Sequence, residues 1–285
     1  MPELPEVETI RRGIDRHLNG HVIVSVEGGG GRLVRNNPQG MTDLYAQLTN
    51  SQITAVERRG KFMWMEFDEA DFALVIHLGM SGHVRIVERS TEAIGRHEHV
   101  RLNMDDGKQV SFIDPRMFGH LTVSPLVEDV AGRLIPEAAK GIASDPLEDV
   151  PLELWVNPML RTRRAIKTVL LDQTVISGIG NIYADEALFR ARVSGSVRSE
   201  TMSRLEATMV VEAARDVMTE AVAVGGTSFD TLYLNTDGDP GYFARSLYVY
   251  GREGKPCKRC GQAIRREQIN GRSHHFCPGC QDLPH

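Results

Sequence analysis

Cys257-x2-Cys260 and Cys277-x2-Cys280 hold all the cysteines of this 285-residue chain, and sixteen residues separate the two pairs. Each pair can offer two thiolates, and two pairs fill the tetrahedral shell of one Zn²⁺. No coordination position is left open, so the expected role of the metal is structural. His274 and His275 are alternative ligands by type, but four sulfurs suffice. The intervening AIRREQINGRSHHF predicts a β-hairpin turning at Asn270–Gly271. So small a ribbon has no core of its own, and metal would stiffen it. Its Arg265, Arg266 and Arg272 suit a phosphate backbone.

The second chemistry-bearing stretch is MPELPEVE at the N-terminus. Pro5 in a first helical turn with Glu6 and Glu8 at the positive end of the dipole is ordinary capping. A chemical role requires removal of Met1, which would expose Pro2 as a secondary amine. An α-amine has an unperturbed pKa of roughly 8, so part of it is an unprotonated nucleophile at neutral pH. Attack on an aldehyde-level carbon gives an iminium, an electron sink like a lysine Schiff base. Glu3 would stand beside it as a general acid or base.

Three further places carry two readings each. LLDQTVISGIGNIYADEALFRARV predicts a helix ending near Asp172, a turn with Gly178 and Gly180, and Asn181 capping the next helix. Such a turn can face phosphate with backbone N–H groups, or it can be plain architecture. The basic turn Arg58-Arg59-Gly60-Lys61 can hold a phosphate or simply be solvated. HLGMSG (77–82) and DPRMFG (114–119) each end a strand; Met80 and Phe118 are apolar wedges between base steps if exposed, or core residues if not.

The elements that must position these groups change along the chain. Val7, Ile10, Ile14 and Leu18 form one stripe of a helix over 4–18, with Gly20 as its stop. From about 21 to 124, HVIVSVEG, QITAVERRGKFMWMEF, FALVIHLGM, HVRIVE, HVRLNM and KQVSFID are short, β-branched or aromatic, and divided by turns, which points to a sandwich or barrel. Residues 125–150, with several prolines, read as a connector with some short helix. LELWVNPML, TRRAIKTVLLDQ, YADEALFRARV and SRLEATMVVEAARDVMTEAVAV carry helical spacing. The expected domains are 1–130, a linker 131–151, a helical domain 152–248 and a zinc finger 249–285.

Composition is that of a soluble globular protein, 41% hydrophobic and 25% charged. No apolar run reaches membrane-span length and no signal-peptide pattern opens the chain, so a cytoplasmic location is expected. In a reducing compartment, clustered cysteines favour metal over disulfides. The net charge of −5 hides an asymmetry. Residues 251–285 hold seven basic and three acidic side chains, a balance of +4, while 125–155 hold seven acidic and two basic, a balance of −5.

MPELPEVE, RRGK, HLGMSG, DPRMFG, SGIGNIYADEALF, DGDPGYF and the paired CxxC knuckles, in this order from residue 2 to residue 280, resemble bacterial formamidopyrimidine-DNA glycosylases. That resemblance implies an α+β multidomain fold: an N-terminal helix on an eight-stranded antiparallel β-sandwich, a helix–two-turn–helix domain, and a C-terminal zinc-finger β-hairpin. It implies duplex DNA between the domains with the lesion flipped out. It also implies removal of oxidised purines, 8-oxoguanine and formamidopyrimidines, followed by β- and δ-elimination. A monomer is expected, with one structural Zn²⁺ and no nucleotide or redox cofactor.

Carried over by position, Pro2 resembles the nucleophile and Glu3 the acid. Lys61 matches a proton donor for β-elimination, and Arg272 the zinc-finger arginine of δ-elimination. A guanidinium rarely gives up its proton, so Arg272 reads physically as a bidentate phosphate clamp. His97, Arg116, Asn181 and Lys167 match DNA- or substrate-contact positions. Met80, Arg116 and Phe118 match residues that fill the gap left by the flipped base, and 226–243 resembles a loop closing over it. Three rivals remain: an endonuclease VIII-like pyrimidine glycosylase, which Leu4 and DPRMFG disfavour; a non-catalytic zinc-ribbon DNA-binding protein, which leaves Pro2, Glu3 and Lys61 without a task; and a degenerate family member that binds lesions without cutting, which the presence of Pro2, Glu3, Lys61 and Arg272 disfavours.

Overall fold

The computed structural model describes residues 2–88, 93–227 and 243–281. The chain divides into two compact units. The first takes the described residues of 1–141 and 225–242, and the second those of 142–224 and 243–285. By contacts, the zinc hairpin groups with the helices, and residues 131–141 of the expected linker group with the sandwich.

The first unit opens with α1 (Leu4–Leu18), whose predicted stripe Val7, Ile10, Ile14 and Leu18 is fully buried. There follow β1 (Ile23–Glu27), α2 (Met41–Leu48), β2 (Ile53–Arg59), β3 (Phe62–Phe67), β4 (Phe72–His77), β5 (His83–Glu88), β6 (Glu98–Met104), β7 (Lys108–Ile113), β8 (His120–Glu128) and β9 (Leu134–Pro136). They form two antiparallel sheets, ordered β1-β6-β7-β5 and β2-β3-β4-β8-β9. One face of each sheet feeds a shared core: Val26, Val100, Leu102 and Val110 from the first, Met63, Met65, Leu74 and Ile76 from the second, with the α1 stripe packed in. The other face of the second sheet buries Trp64, Ala73, Val75 and Ile135. This two-layer alternation is the expected sandwich. Among the described residues it has nine strands rather than eight, because residues 134–136 of the expected linker pair antiparallel with β8. The helix α2 was not foreseen; with Leu44 and Leu48 as its buried pair, it is too short to show a full stripe.

The second unit contains α3 (Glu153–Met159), α4 (Ile166–Leu170), α5 (Asn181–Ala191), α6 (Arg204–Ala223) and a hairpin of β10 (Arg265–Ile269) and β11 (Arg272–Phe276). Ser203 caps α6 in a capping box with Glu206, as an S-x-x-E start should. The hairpin turns at Asn270 (φ +47°) and Gly271 (φ +74°). Two left-handed residues in a two-residue loop make the type I′ turn that Asn-Gly specifies, and Arg272 follows it directly.

Candidate active site and nucleic-acid interface

Pro2 is buried at the start of α1. Glu3 is buried beside it, and its backbone N–H donates to Glu6 Oε2 at 2.8 Å. Glu6 does more than cap the helix. Its Oε1 accepts from the backbone N–H of Thr227 (2.7 Å) and from the Thr227 hydroxyl (2.9 Å). A side chain at Gly226 would collide with Glu6, its Cβ falling 2.8 Å from Oε1. One buried carboxylate thus ties the Pro2–Glu3 segment to the root of the 226–243 segment. The spacing of Glu6 signalled only a cap; nothing local to the sequence announced a partner 221 residues away. The rest of that expected capping loop, residues 228–242, lies outside the described residues.

The basic turn is neither solvated nor open to phosphate along its whole length. Arg58 donates from Nε to Glu8 Oε2 (2.9 Å) and from Nη1 to the carbonyl of Gly60 (3.0 Å). Arg59 Nη2 pairs with Asp129 Oδ2 at 2.8 Å. Glu8 also takes Arg11 and Arg12. Burial raises the Glu8 carboxyl, but the hydrogen bonds and charges of Arg11 and Arg58 outweigh it and bring it down to about 2. The arginines therefore brace the loop that presents Lys61. Arg59 faces Phe62 across that loop, and Gly60 takes φ +58°, the left-handed first position of a type II′ turn. Lys61 is 8% exposed.

Close to Lys61, His77 and His120 stack with ring centroids 5.1 Å apart, and Phe62 leans on His77 at 4.6 Å. Burial, then the neighbouring His120, Lys61 and Arg35, push His77 down to about 4; burial and Arg35 do the same to His120. The backbone N–H of Gly79 points at His77 Nδ1 (3.2 Å), and Arg35 Nη2 at His120 Nδ1 (3.4 Å). Both rings are therefore neutral at pH 7 and carry their proton on Nε2. The sequence reading missed this pair, since a strand-end His in HLGM and another after DPRMFG carry no pairing signal.

Met80 and Phe118 are 40% and 48% exposed, so the core reading fails for both. Arg116 and His97 are exposed as well. The loops carrying Met80 and Phe118 interlock: a Cβ on Gly79 would sit 2.5 Å from the Gly119 nitrogen, and one on Gly119 would sit 2.7 Å from the His77 carbonyl. Glycine at both positions lets the backbones meet and sets the two apolar side chains on adjoining loops.

In the second unit, the helix–turn–helix segment has α4 ending at Leu170 and α5 starting at Asn181. Gln173 organises the turn, accepting from the Gly178 N–H (2.9 Å) and donating to the Ile179 carbonyl (3.0 Å). Asn181 is not the cap: Gly180 is, and Asn181 is the first helical residue. Its Nδ2 donates to Ser273 Oγ at 3.1 Å, next to Arg272 on the exposed end of β11.

Lys167 departs from its expected surface role. It is 0% exposed, and its Nζ donates to Asp185 Oδ1 (2.6 Å) and to the Ser273 carbonyl. An ammonium so committed has no face for a phosphate, so Lys167 leaves the set of DNA contacts. Asp185 also takes His274 Nδ1 (2.7 Å), the His275 N–H (2.8 Å) and His275 Nδ1 (3.2 Å). Burial would raise the Asp185 carboxyl, but the two histidines and Lys167 hold it below the usual range. His274 and His275 turn Nδ1 to this carboxylate, and neither belongs to the cluster of four sulfurs that could hold a metal. This buried cluster docks the hairpin on α5. Glu186, the next residue, is buried with three backbone N–H groups of 248–250 on it. Burial raises its carboxyl above the ordinary range against those hydrogen bonds.

The sulfurs of Cys257, Cys260, Cys277 and Cys280 all lie within 4.8 Å of one another. Cys257–Cys280 and Cys260–Cys277 are 3.9 and 3.4 Å apart. A zinc tetrahedron with arms of about 2.3 Å has edges of about 3.8 Å, so the thiolate set fits one Zn²⁺. Burial opposes ionisation of Cys257, but the N–H groups of Arg259 and Cys260 bring it down to about 7.

Comparison with known proteins agrees with this division of parts. Residues 1–121 match the formamidopyrimidine-DNA glycosylase N-terminal domain, residues 142–232 its H2TH domain, and residues 254–283 a zinc finger found in FPG and IleRS. A formamidopyrimidine-DNA glycosylase of Mycobacterium avium is 47% identical, with 100% of this chain and 99% of that one covered. Lactococcus lactis Fpg, solved with DNA containing an abasic site, superposes with a TM-score of 0.83 at 30% identity over 99% of this chain and 100% of that one. MutM, solved with DNA containing carbocyclic 8-oxo-G, gives 0.83 at 31% identity over the same shares.

Proposed function

Because the chain belongs to the formamidopyrimidine-DNA glycosylase family, and is thus a bifunctional DNA glycosylase and abasic-site lyase of base-excision repair, we propose that it removes oxidised purines from duplex DNA through a Schiff base on Pro2. The observation that carries this is the buried Pro2–Glu3 start of α1, held by Glu6, in the unit that exposes Met80, Arg116 and Phe118.

With Met1 removed, the Pro2 nitrogen attacks C1′ of the damaged nucleotide. The base departs with the bonding pair and is protonated; Glu3 gives a proton to O4′ as the C1′–O4′ bond opens, and the amine, having lost its own proton, is left as an iminium at C1′. Loss of a C2′ proton then drives β-elimination of the 3′ phosphate. Lys61 is placed in proton transfer at this stage, its turn braced by Arg58 and Glu8. A second elimination releases the 5′ phosphate, with Arg272 clamping the departing anion through its fixed guanidinium fork. Asn181, tied to Ser273 beside Arg272, adds a phosphate contact at this end of the ribbon. Met80, Arg116 and Phe118 offset the stacking lost when the base is flipped. Cys257, Cys260, Cys277 and Cys280 hold one zinc, which shapes the ribbon presenting Arg272. The substrate partner is damaged duplex DNA, met by a monomer in the cytoplasm.

Borohydride trapping tests this. Protein lacking Met1, mixed with a duplex holding one 8-oxoguanine opposite cytosine, should yield a covalent adduct that mass spectrometry places on Pro2. A Pro2→Gly chain that retains its initiator Met should give none. Adducts only with oxidised pyrimidines would move the specificity to the endonuclease VIII side. No adduct with any lesion or abasic site would refute the amine mechanism.

A further inference from the structure

Asp114 is 1% exposed, yet three exposed side chains depend on it. Its Oδ1 accepts from the Ser81 hydroxyl (2.5 Å) and the Arg116 N–H (3.2 Å), and its Oδ2 from the Gly119 N–H (2.7 Å). Its own N–H donates to the His97 carbonyl at 2.9 Å, and its carbonyl lies 2.9 Å from His99 Nε2. Ser81 is equally buried and directly follows Met80. One residue therefore grips three segments at once: its carboxylate holds the loop of Met80 and the turn of Arg116 and Phe118, and its backbone N–H holds the strand entry at His97. The turn between Arg116 and Phe118 needs such a grip, because Met117 takes φ +53°, a left-handed conformation that a side-chain-bearing residue rarely adopts unaided.

We propose that Asp114, with Ser81, is a positioning residue that fixes the spacing of Met80, Arg116 and Phe118 and so sets the discrimination between bases opposite the lesion. The proposal rests on the assignment of those three residues to the gap left by the flipped base. Neither Asp114 nor Ser81 needs to touch DNA. Asp114 is acceptor-only toward Ser81, Arg116 and Gly119. An amide in its place puts an NH₂ against a backbone N–H on one side or the other, so one loop must let go. Removing the Ser81 hydroxyl frees the Met80 loop and takes one of two acceptors from the Arg116 N–H, which Asp114 still holds at 3.2 Å.

Single-turnover excision from 8-oxoguanine opposite cytosine and opposite adenine, beside elimination at a preformed abasic site, tests this with the zinc-loaded protein. For Ser81→Ala the ratio of excision opposite cytosine to excision opposite adenine should change at least five-fold, with abasic-site elimination within three-fold of wild type. Asp114→Asn should move the ratio in the same direction and further. Ser81→Thr, which keeps the hydroxyl, should restore it. The double variant should change the ratio no more than Asp114→Asn alone, because both act through one hydrogen-bond network. If excision and elimination fall together with the ratio unchanged, the two residues are merely structural and the proposal is overturned; an unchanged ratio with unchanged rates overturns it equally. Should Asp114→Asn not fold, Ser81→Ala and Ser81→Thr decide alone. Arg116→Ala and Phe118→Ala serve as the reference. If they leave the ratio unmoved, the gap-filling assignment itself has failed; if they move it and Ser81→Ala does not, only the positioning role is lost.

Discussion

Glu6→Gln removes one oxygen acceptor and adds one donor, with almost no change in volume. In the native arrangement Oε2 takes the Glu3 N–H while Oε1 takes the N–H and hydroxyl of Thr227. A glutamine can serve only one of these sides. If its oxygen stays with Thr227, the NH₂ confronts the Glu3 N–H; turned over, it confronts the Thr227 N–H. A buried donor left without an acceptor costs about 1–3 kcal/mol. If that cost is met by letting the Pro2–Glu3 segment leave its ordered position, the reactive fraction falls roughly five- to a hundred-fold, about 1.4 kcal/mol per decade. The assay is single-turnover excision of 8-oxoguanine set beside borohydride trapping at a preformed abasic site. In the proposed mechanism both reactions use the Pro2 amine, so both should slow if the Glu3 side yields. Only excision should slow if the Thr227 side yields. Glu6→Gln with both rates within two-fold of wild type would refute the claim that this carboxylate organises the N-terminal segment.

Other perturbations have equally definite outcomes. Lys61→Ala should slow strand cleavage more than adduct formation, resolved by comparing nicked product with trapped adduct, whereas Arg58→Ala should reproduce part of that defect by loosening the turn. Acid should destabilise the sandwich in two windows. His77 titrates near 4 instead of 6.5, so below 6.5 the unfolded chain binds a proton that the folded one refuses, and by pH 4 this costs on the order of 3 kcal/mol. Glu8, held at about 2, loses its contribution only below about 4.5. Thermal melts should show His77→Gln shrinking the upper window, the remainder coming from His120, while sparing the lower. Lys167→Met leaves Asp185 charged and short of a partner, which should cost about 3–5 kcal/mol of local stability, visible as faster amide exchange in β11. Chelation of zinc should abolish duplex binding while leaving the melting of the sandwich unit unchanged.

The legible parts of this molecule were those in which a local pattern decides the outcome. The α1 stripe, the Asn-Gly turn before Arg272 and the two CxxC knuckles each occupy a few consecutive residues with one physical solution. The motif strings carried the family in the same way. Side-chain fate over long range was not legible. Lys167 and Asn181 looked like surface groups because helix periodicity does not tell which face a hairpin from residues 265–276 will cover. Arg58 and Arg59 looked free because their acids, Glu8 and Asp129, are fifty and seventy residues distant. The buried carboxylates Asp114 and Asp185 were passed over, and Glu6 read only as a cap, for one reason: only the fold shows how many donors converge on an acid.

The hairpin answers to two masters. Zinc dictates its internal shape, but the Asp185 cluster dictates its address on α5. A chain could keep all four thiolates on metal, pass any assay of zinc content, and still carry Arg272 to the wrong place because a substitution at Lys167, Asp185 or His274 had cut the mooring. Inactive variants of this kind would look healthy by every measure of metal loading. This small ribbon is thus no interchangeable cassette: transplanted onto another helix pair without a buried acid to receive His274 and the His275 amide, it would fold around its ion and deliver its arginine nowhere in particular.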